Sequence, residues 1–173
     1  MILKAEELSV YAKKCTTNQI EAERGIREAE WYDIVPSIGA ALYERIDQVP
    51  VDYEELLNGG VTYQHSGCVG GVGLLQGLKT AIAYFAEARI CKGNNVQLDR
   101  FGANIKSNEY SSNADPSRIS EEAVYLHTCG DKAMESVLGY IQSRKDDPLF
   151  APFIQKPNDE ERTTFESINF LNP

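Results

Sequence analysis

Residues that could bind a nucleotide fall in one glycine-rich stretch of this chain. Gly71-Val72-Gly73 supplies two glycines of a dinucleotide-binding fingerprint but lacks the third. Gly77-Leu78-Lys79-Thr80 has the order of a phosphate-binding loop, except that Leu78 separates the glycine and lysine that must be adjacent to cradle phosphates. Both patterns are incomplete, so we expect neither a nucleotide site nor any other cofactor.

Histidine and cysteine side chains could hold a metal or act as a base and a nucleophile. His65 and Cys68 are near each other, and a zinc site completed by distant residues is one interpretation of them. An ordinary polar loop is the other, and it is favoured because the chain has no CxxC pair. We expect reduced thiols in a reducing compartment, at the positions Cys15, Cys68, Cys91 and Cys129.

His127 precedes Asp131 by four residues, which places the two side chains on one face of a helix. This spacing is typical of a surface pair rather than of a catalytic base. The chain has no HExxH, EF-hand or GxSxG pattern, and Ser66-Gly67-Cys68 lacks the context of a nucleophile elbow. The sequence therefore predicts no enzyme and no metal centre.

The elements that must position these residues are mainly helices. Residues 77–92 form an alanine-rich apolar helix that is expected to be buried on most sides. A long final helix begins at Asp115-Pro116, and Asn18 with Glu21 caps an earlier helix that runs to about residue 34. Pro36 should interrupt the chain before a short helix over residues 37–47. The fold class we expect is mainly α, a small bundle of four to five helices.

Two segments should protrude from this helical domain, which we assign to residues 1–147. Seven of the thirteen glycines lie between residues 59 and 77, so residues 58–73 are predicted to be a loop or a loose hairpin. Residues 96–111 have β-branched and aromatic side chains around Gly102, which predicts an extended arm or a β-hairpin. An isolated hairpin needs a surface to pack on.

The last segment, residues 148–173, is expected to be an extended C-terminal tail. Residues 146–173 carry six acidic and two basic side chains and four of the seven prolines, so this part cannot form its own core. It is also rich in large apolar residues. Such a tail either docks on a neighbouring molecule or folds back onto its own domain.

Charge and hydropathy disfavour two classes of partner, although they leave room for a local basic patch. The net charge is −9, which should repel nucleic-acid phosphates. The longest apolar run, residues 81–86, is too short to cross a bilayer, and the first residues lack the apolar core of a signal peptide. We expect a soluble, non-secreted protein with one core.

Three stretches of the sequence resemble the head-to-tail connector (adaptor, head-completion) proteins of tailed bacteriophages and prophages. They are AEWYDIVPSIGAALYERI at residues 29–46, GLKTAIAYFAEAR at residues 77–89, and DRFGANIKSNEYS at residues 99–111, followed by DDPLF after the final helix. The resemblance covers residues 19–150. The glycine-rich insertion and the C-terminal tail depart from the shortest members of that family.

This resemblance implies a structural virion protein at the head–tail junction, made in the cytoplasm of the host bacterium. It implies a homo-oligomeric ring, typically a dodecamer, that binds the portal protein on one side and a tail or further connector protein on the other. DNA would only pass through the channel, and no membrane would be involved. An acidic surface suits such a channel.

The predicted contacts between subunits or partners lie in the arm, the loop and the tail. The candidate interface residues are Phe101, Ile105, Tyr110, Tyr63, Phe150, Phe153, Phe165 and Phe170. Two alternatives stay open. The chain could be a non-enzymatic regulatory protein-binding module of phage or prophage origin, or a small-ligand enzyme that uses the turn at residues 70–79.

Overall fold

A computed structural model describes residues 1–11, 18–64, 71–93, 96–99, 102–105 and 116–154. Its centre is helix α6, Leu78–Gly93, on which helix α2, Gln19–Ala29, and helix α7, Pro116–Ser143, both pack. Leu78, Ile82 and Ala86 are fully buried in α6, so the predicted central helix is confirmed. The molecule is mainly α-helical, as its apolar periodicity indicates.

The remaining helices are short and contribute to the same core. They are a 3₁₀ turn at Ala5–Glu7, α1 at Leu8–Tyr11, a π-helical turn at Glu30–Ile34, α3 at Val35–Ile38, α4 at Ala40–Gln48, a 3₁₀ turn at Pro50–Tyr53, and α5 at Glu54–Asn58. Their apolar side chains join one continuous core with α2, α6 and α7. The described residues thus share a single core, as the composition indicates.

The start of α2 follows its sequence signal, but its end does not. The Asn18 side chain accepts a hydrogen bond from the Glu21 N–H at 2.9 Å, so the predicted cap is confirmed. Pro36 was expected to interrupt the helix, and this is wrong. It lies in the first turn of α3, directly after the π turn, where a missing N–H is tolerated. The break comes at Gly39, whose φ of +85° ends α3 before α4 begins.

Two antiparallel hairpins occupy the protruding segments. Strand β1, Thr62–Gln64, pairs with β2, Val72–Leu74, and strand β3, Val96–Asp99, pairs with β4, Gly102–Ile105. Both hairpins agree with the predictions for residues 58–73 and 96–111. The first hairpin does not stand free, however, because it packs against α7.

Tyr63 of β1 fastens this hairpin to α7. A Cβ added at Gly73 would lie 2.6 Å from the Tyr63 ring, and one at Gly139 would lie 2.7 Å from its hydroxyl oxygen. The ring therefore fits between two glycines that belong to different elements, and it is 8% exposed. Its edge also meets the ring of Tyr140, with the centroids 5.9 Å apart.

Residues 149–154, which follow α7 after a short turn, pack on the core. Phe150 is 2% exposed and makes edge contacts with Tyr53 and Tyr140, at centroid distances of 5.7 Å and 6.1 Å. The Tyr53 hydroxyl donates to the carbonyl of Leu149 at 3.1 Å. The boundary predicted at residue 147 is therefore wrong for residues 148–154, which belong to the helical domain because their apolar side chains fill its core.

A buried carboxylate joins the N-terminal segment to this core. Glu30, 3% exposed, accepts hydrogen bonds from the backbone N–H groups of Ile2 at 2.6 Å and Leu3 at 3.3 Å. Its second oxygen accepts from the Tyr43 hydroxyl at 2.8 Å. Burial and then the bond to Glu30 raise the pKa of Tyr43 well above its usual range. The carboxylate thus organises three separate segments around one buried point.

Candidate interaction groove at the π-helical turn

The π-helical turn presents two aromatic side chains to solvent. The N–H of Val35 donates to the Glu30 carbonyl five residues earlier, so this turn contains one residue more than an α-helical turn. Trp31 is 65% exposed and Tyr32 is 69% exposed. Insertions of this kind are frequent at functional sites, and aromatic side chains are enriched where proteins bind each other.

A groove of about 440 Å³ lies beside these aromatics, between the π turn with α3 and the middle of α7. Phe85 and Met134 form its buried floor. Tyr32 and Leu138 are exposed on its sides. The groove is therefore apolar at its base, and it is open to solvent along its length.

A bidentate ion pair fixes the wall of this groove. Arg89 of α6 donates to both Asp33 oxygens, with the shortest contact 2.7 Å from its terminal nitrogen. The Asp33 side chain is 12% exposed, so water screens the pair only weakly. The Arg89 guanidinium also lies 5.4 Å from the centre of the Tyr32 ring, which favours a cation–π contact. Arg89 thereby holds the π turn against α6.

His127 lies at the same wall, but its environment does not suit a catalytic base. Its Nδ1 is 3.2 Å from an oxygen of Asp131, so the predicted surface pair is confirmed. Its Nε2 is 4.0 Å from Asp33, and its ring packs on Phe85 with the centroids 4.9 Å apart. Both ring nitrogens face carboxylates, which leaves neither directed at a hydroxyl.

Ser37 and Tyr32 carry the hydroxyl groups among the described side chains that line the groove. Ser37 donates to the backbone carbonyl of Asp33 at 2.6 Å, which is a local helix contact. The apolar floor of the groove is suited to binding an apolar surface.

The carboxylates on the α7 side of the groove are exposed. Asp131 is 62% exposed, and Glu135, one turn further along the helix, is also exposed. The apolar floor therefore has an acidic border, which favours a partner that carries both apolar and basic side chains.

The glycines and the lysine of the incomplete nucleotide motifs have structural roles. Gly77, with φ +95°, lies so close to Gly59 that an added Cβ would be 2.8 Å from the Gly59 nitrogen. Lys79 forms an ion pair with Glu7 at 2.8 Å. In this pair the Lys79 ammonium donates a hydrogen bond to the Glu7 carboxylate, which lowers the pKa of Glu7. These residues join the N-terminal segment and the first hairpin to the start of α6.

The eight candidate interface residues do not form one surface. Tyr63 and Phe150 are core residues, so their side chains cannot be offered to a partner in this conformation; they are buried by glycines and aromatics from distant segments. Phe153 is half-buried against the same core. Ile105 pairs with Val96 in the second hairpin. Phe101, Tyr110, Phe165 and Phe170 lie outside the described residues.

Sequence reasoning missed Trp31 and Tyr32, although a signal for them exists. The buried apolar positions run through Ala22, Ile26 and Ala29 at helical spacing and then resume at Ile34, five residues later. A step of five in an apolar stripe is the spacing of a π turn. Trp31 and Tyr32 lie within this step and are exposed.

The part of the chain that the structure describes contains no cluster of three or more histidine, cysteine, aspartate and glutamate side chains that could hold a metal ion. Cys91 and Cys129 are half-buried, whereas His65 and Cys68 lie outside the described residues, so the zinc interpretation stays untested. Among the described helices, none has the length and apolar character needed to cross a membrane.

Comparison with known proteins identifies a family but not an activity. The sequence pattern of DUF6712, a family of unknown function, matches residues 34–159 of this chain. No curated protein matches the chain. No solved structure matches it either.

Proposed function

Because the chain belongs to the DUF6712 family, whose function is unknown, we propose a function from its surface and from its resemblance to phage connectors. The chain is a structural virion protein, a head-to-tail connector that forms a ring under the portal protein. The ring extends the DNA channel and joins the head to the tail. The protein acts at the head–tail junction of the virion and is made in the cytoplasm of the host.

One observation supports an assembly role above the others. Trp31 and Tyr32 are two neighbouring large aromatic side chains, both about two-thirds exposed, and Tyr32 lines an open apolar groove. Exposed aromatics beside a groove are a feature of protein-binding surfaces, because their burial contributes most of the binding free energy at many interfaces. Both residues also lie within the first of the three stretches that resemble connector proteins.

The charge of the chain is consistent with this proposal. With a net charge of −9, a ring of these subunits would repel DNA phosphates on average and would let DNA pass without tight binding. The partners of the ring are then proteins: neighbouring copies, the portal protein, and a tail or further connector protein.

The solution mass tests the proposal. Each chain has a mass of 19.3 kDa, so a twelve-copy ring would have a mass of about 230 kDa by light scattering. The chain is measured alone and after mixing with the portal protein encoded in the same genome. A ring-sized particle, or co-assembly with portal, is expected. A monomer that ignores portal at every concentration would overturn the proposal.

The groove also favours a second function, a non-enzymatic regulatory module that binds one protein partner. An apolar floor with an acidic border is sufficient to bind a single basic, amphipathic segment. The two functions differ in mass, because a regulatory module would keep a small fixed mass and would show no affinity for portal.

A further inference from the structure

The outer face of α2 carries a basic stripe that does not pack on the core of the described residues. Ile20, Arg24, Arg27 and Trp31 recur at helical spacing, opposite the buried side that packs on α6. Ile20 is 80% exposed and Trp31 is 65% exposed. We call this set the basic stripe, since two arginines lie between two large apolar side chains.

The outer face of α7 carries a matching stripe of opposite charge. Val124, Thr128, Asp131, Glu135 and Leu138 are all exposed and also recur at helical spacing. We call this set the acidic stripe, since two carboxylates lie between Val124 and Leu138. Three of its members, Asp131, Glu135 and Leu138, line the α7 side of the groove.

From this complementarity we propose that the basic stripe of one copy binds the acidic stripe of the next copy, an inference that rests on the proposed ring assembly. Both stripes face away from α6, because the opposite sides of α2 and α7 are buried on it. Two different patches on one subunit make a head-to-tail contact, and such contacts close into rings when the rotation permits.

An antiparallel register pairs every member of the two stripes. Ile20 meets Leu138, Arg24 meets Glu135, Arg27 meets Asp131, and Trp31 covers Thr128 and Val124. The basic stripe spans eleven residues, or about 16 Å, and the acidic stripe spans fourteen, or about 21 Å, so the lengths are compatible. Apolar contacts at both ends exclude water from the charged pairs between them.

The local ion pairs leave these charges available for a partner. Arg24 is 3.9 Å from Glu28, at the limit of an ion pair, and its side chain is 64% exposed. Asp131 bonds His127 with one oxygen and remains 62% exposed. Within the described part of the chain, no ion pair joins Arg27 or Glu135 to another side chain. A second copy therefore offers each of them an oppositely charged group.

Charge reversal tests this contact directly. Arg24→Glu with Arg27→Glu makes both stripes acidic, and Asp131→Lys with Glu135→Lys makes both basic. Each variant alone should fail to assemble, because like charges then face each other. An equimolar mixture of the two should assemble again, with the variants alternating around the ring. Lys92→Glu with Lys145→Glu is the matched control, since it changes the net charge by the same amount as the arginine variant at exposed helix-end positions.

Light scattering gives the mass of each variant and of the mixture, alone and with the portal protein, and circular dichroism checks that each is folded. Loss of assembly in both variants, its recovery in the mixture, and a control that assembles normally are expected. If the wild type assembles and the reversed variants still do so, the stripe contact is wrong while the connector function stands. If the mixture does not recover, the contact between stripes is also wrong. If the wild type never assembles, both proposals fail.

Discussion

Gly139 in α7 gives the sharpest test of how the first hairpin is held. A Cβ at this position would lie 2.7 Å from the Tyr63 hydroxyl oxygen and 3.0 Å from a ring carbon. The ring cannot retreat, because on its other side it already lies against Gly73. In Gly139→Ala either the ring or the helix must shift.

Two opposing effects set the magnitude of this change. Replacing a glycine inside a helix with alanine stabilises the helix by about 1 kcal/mol. Overpacking a rigid, buried site costs about 1–3 kcal/mol. Since Tyr63 is confined on both sides, the steric cost should exceed the helix gain. We expect a net loss of about 1–2 kcal/mol in the free energy of unfolding, or about 2–8 °C in melting temperature for a chain of this size.

Gly25→Ala in α2 is the comparison variant, because its added Cβ would meet the half-buried Ile90 side chain at 2.7 Å, which can shift, and the Ala86 backbone oxygen at 3.2 Å, which is only a tight contact. We expect its stability within about 1 kcal/mol of the wild type, since the helix gain offsets a relievable contact. Urea unfolding followed by circular dichroism measures both variants. If Gly139→Ala is as stable as Gly25→Ala, Tyr63 is not confined between the two glycines.

Three further substitutions test the core, the N-terminal attachment and the lysine of the incomplete phosphate motif. Phe150→Ala should lower stability by about 3–5 kcal/mol in urea unfolding, because it leaves a cavity; a loss below about 1 kcal/mol would return residues 148–154 to a separate tail. Tyr43→Phe should cost about 1.5–3 kcal/mol at neutral pH, because a bond to the buried Glu30 is lost. The folded pKa of Tyr43 is raised and the unfolded tyrosine titrates near 10, so this group stabilises the fold below about pH 10. Solvent screens this partly buried group, so the wild type should lose at most about 1.4 kcal/mol per pH unit just above pH 10 relative to the variant; equal slopes would contradict the burial of the hydroxyl beside Glu30. Lys79→Ala should cost about 1 kcal/mol or less through its ion pair with Glu7. ATP should raise the melting temperature of neither protein, and a rise in the wild type alone would revive a nucleotide site.

The helices could be predicted from the sequence because their signals are local. The Asn18 cap, the apolar period of α6 and the stripe of α7 depend on residues three to four positions apart. The positions of both hairpins were also predicted, with a loop as the alternative for the first and an extended arm as the alternative for the second, from glycines and from β-branched and aromatic residues.

The burial of the Tyr63 and Phe150 side chains depends instead on segments that are distant in the sequence. Tyr63 is buried because Gly139, 76 positions away, lacks a side chain, and Phe150 is buried by Tyr53 and Tyr140. No property of the residues around each aromatic specifies such a slot. Their positions in a predicted loop and a predicted tail therefore indicated exposed side chains, whereas both side chains are part of the core.

The exposed surface was missed for a different physical reason. If residues 30–34 are assumed to be α-helical, the predicted buried side of the next turn is shifted by about one residue from the buried side that the structure shows. The π turn corrects this phase by one residue, so that Ile34 returns to the core after the exposed Trp31 and Tyr32. The basic and acidic stripes, in turn, become recognisable once burial identifies the outer faces of α2 and α7.

The most direct test of the account uses the one tryptophan of the chain. Trp31 is two-thirds exposed in the subunit, so its fluorescence emission reports whether the π-turn surface becomes buried. Emission and light-scattering mass are measured together over a concentration series, with and without portal protein. A shift of the emission to shorter wavelength that follows the increase in mass is expected. A ring-sized mass with unchanged emission would contradict the claim that assembly uses this surface.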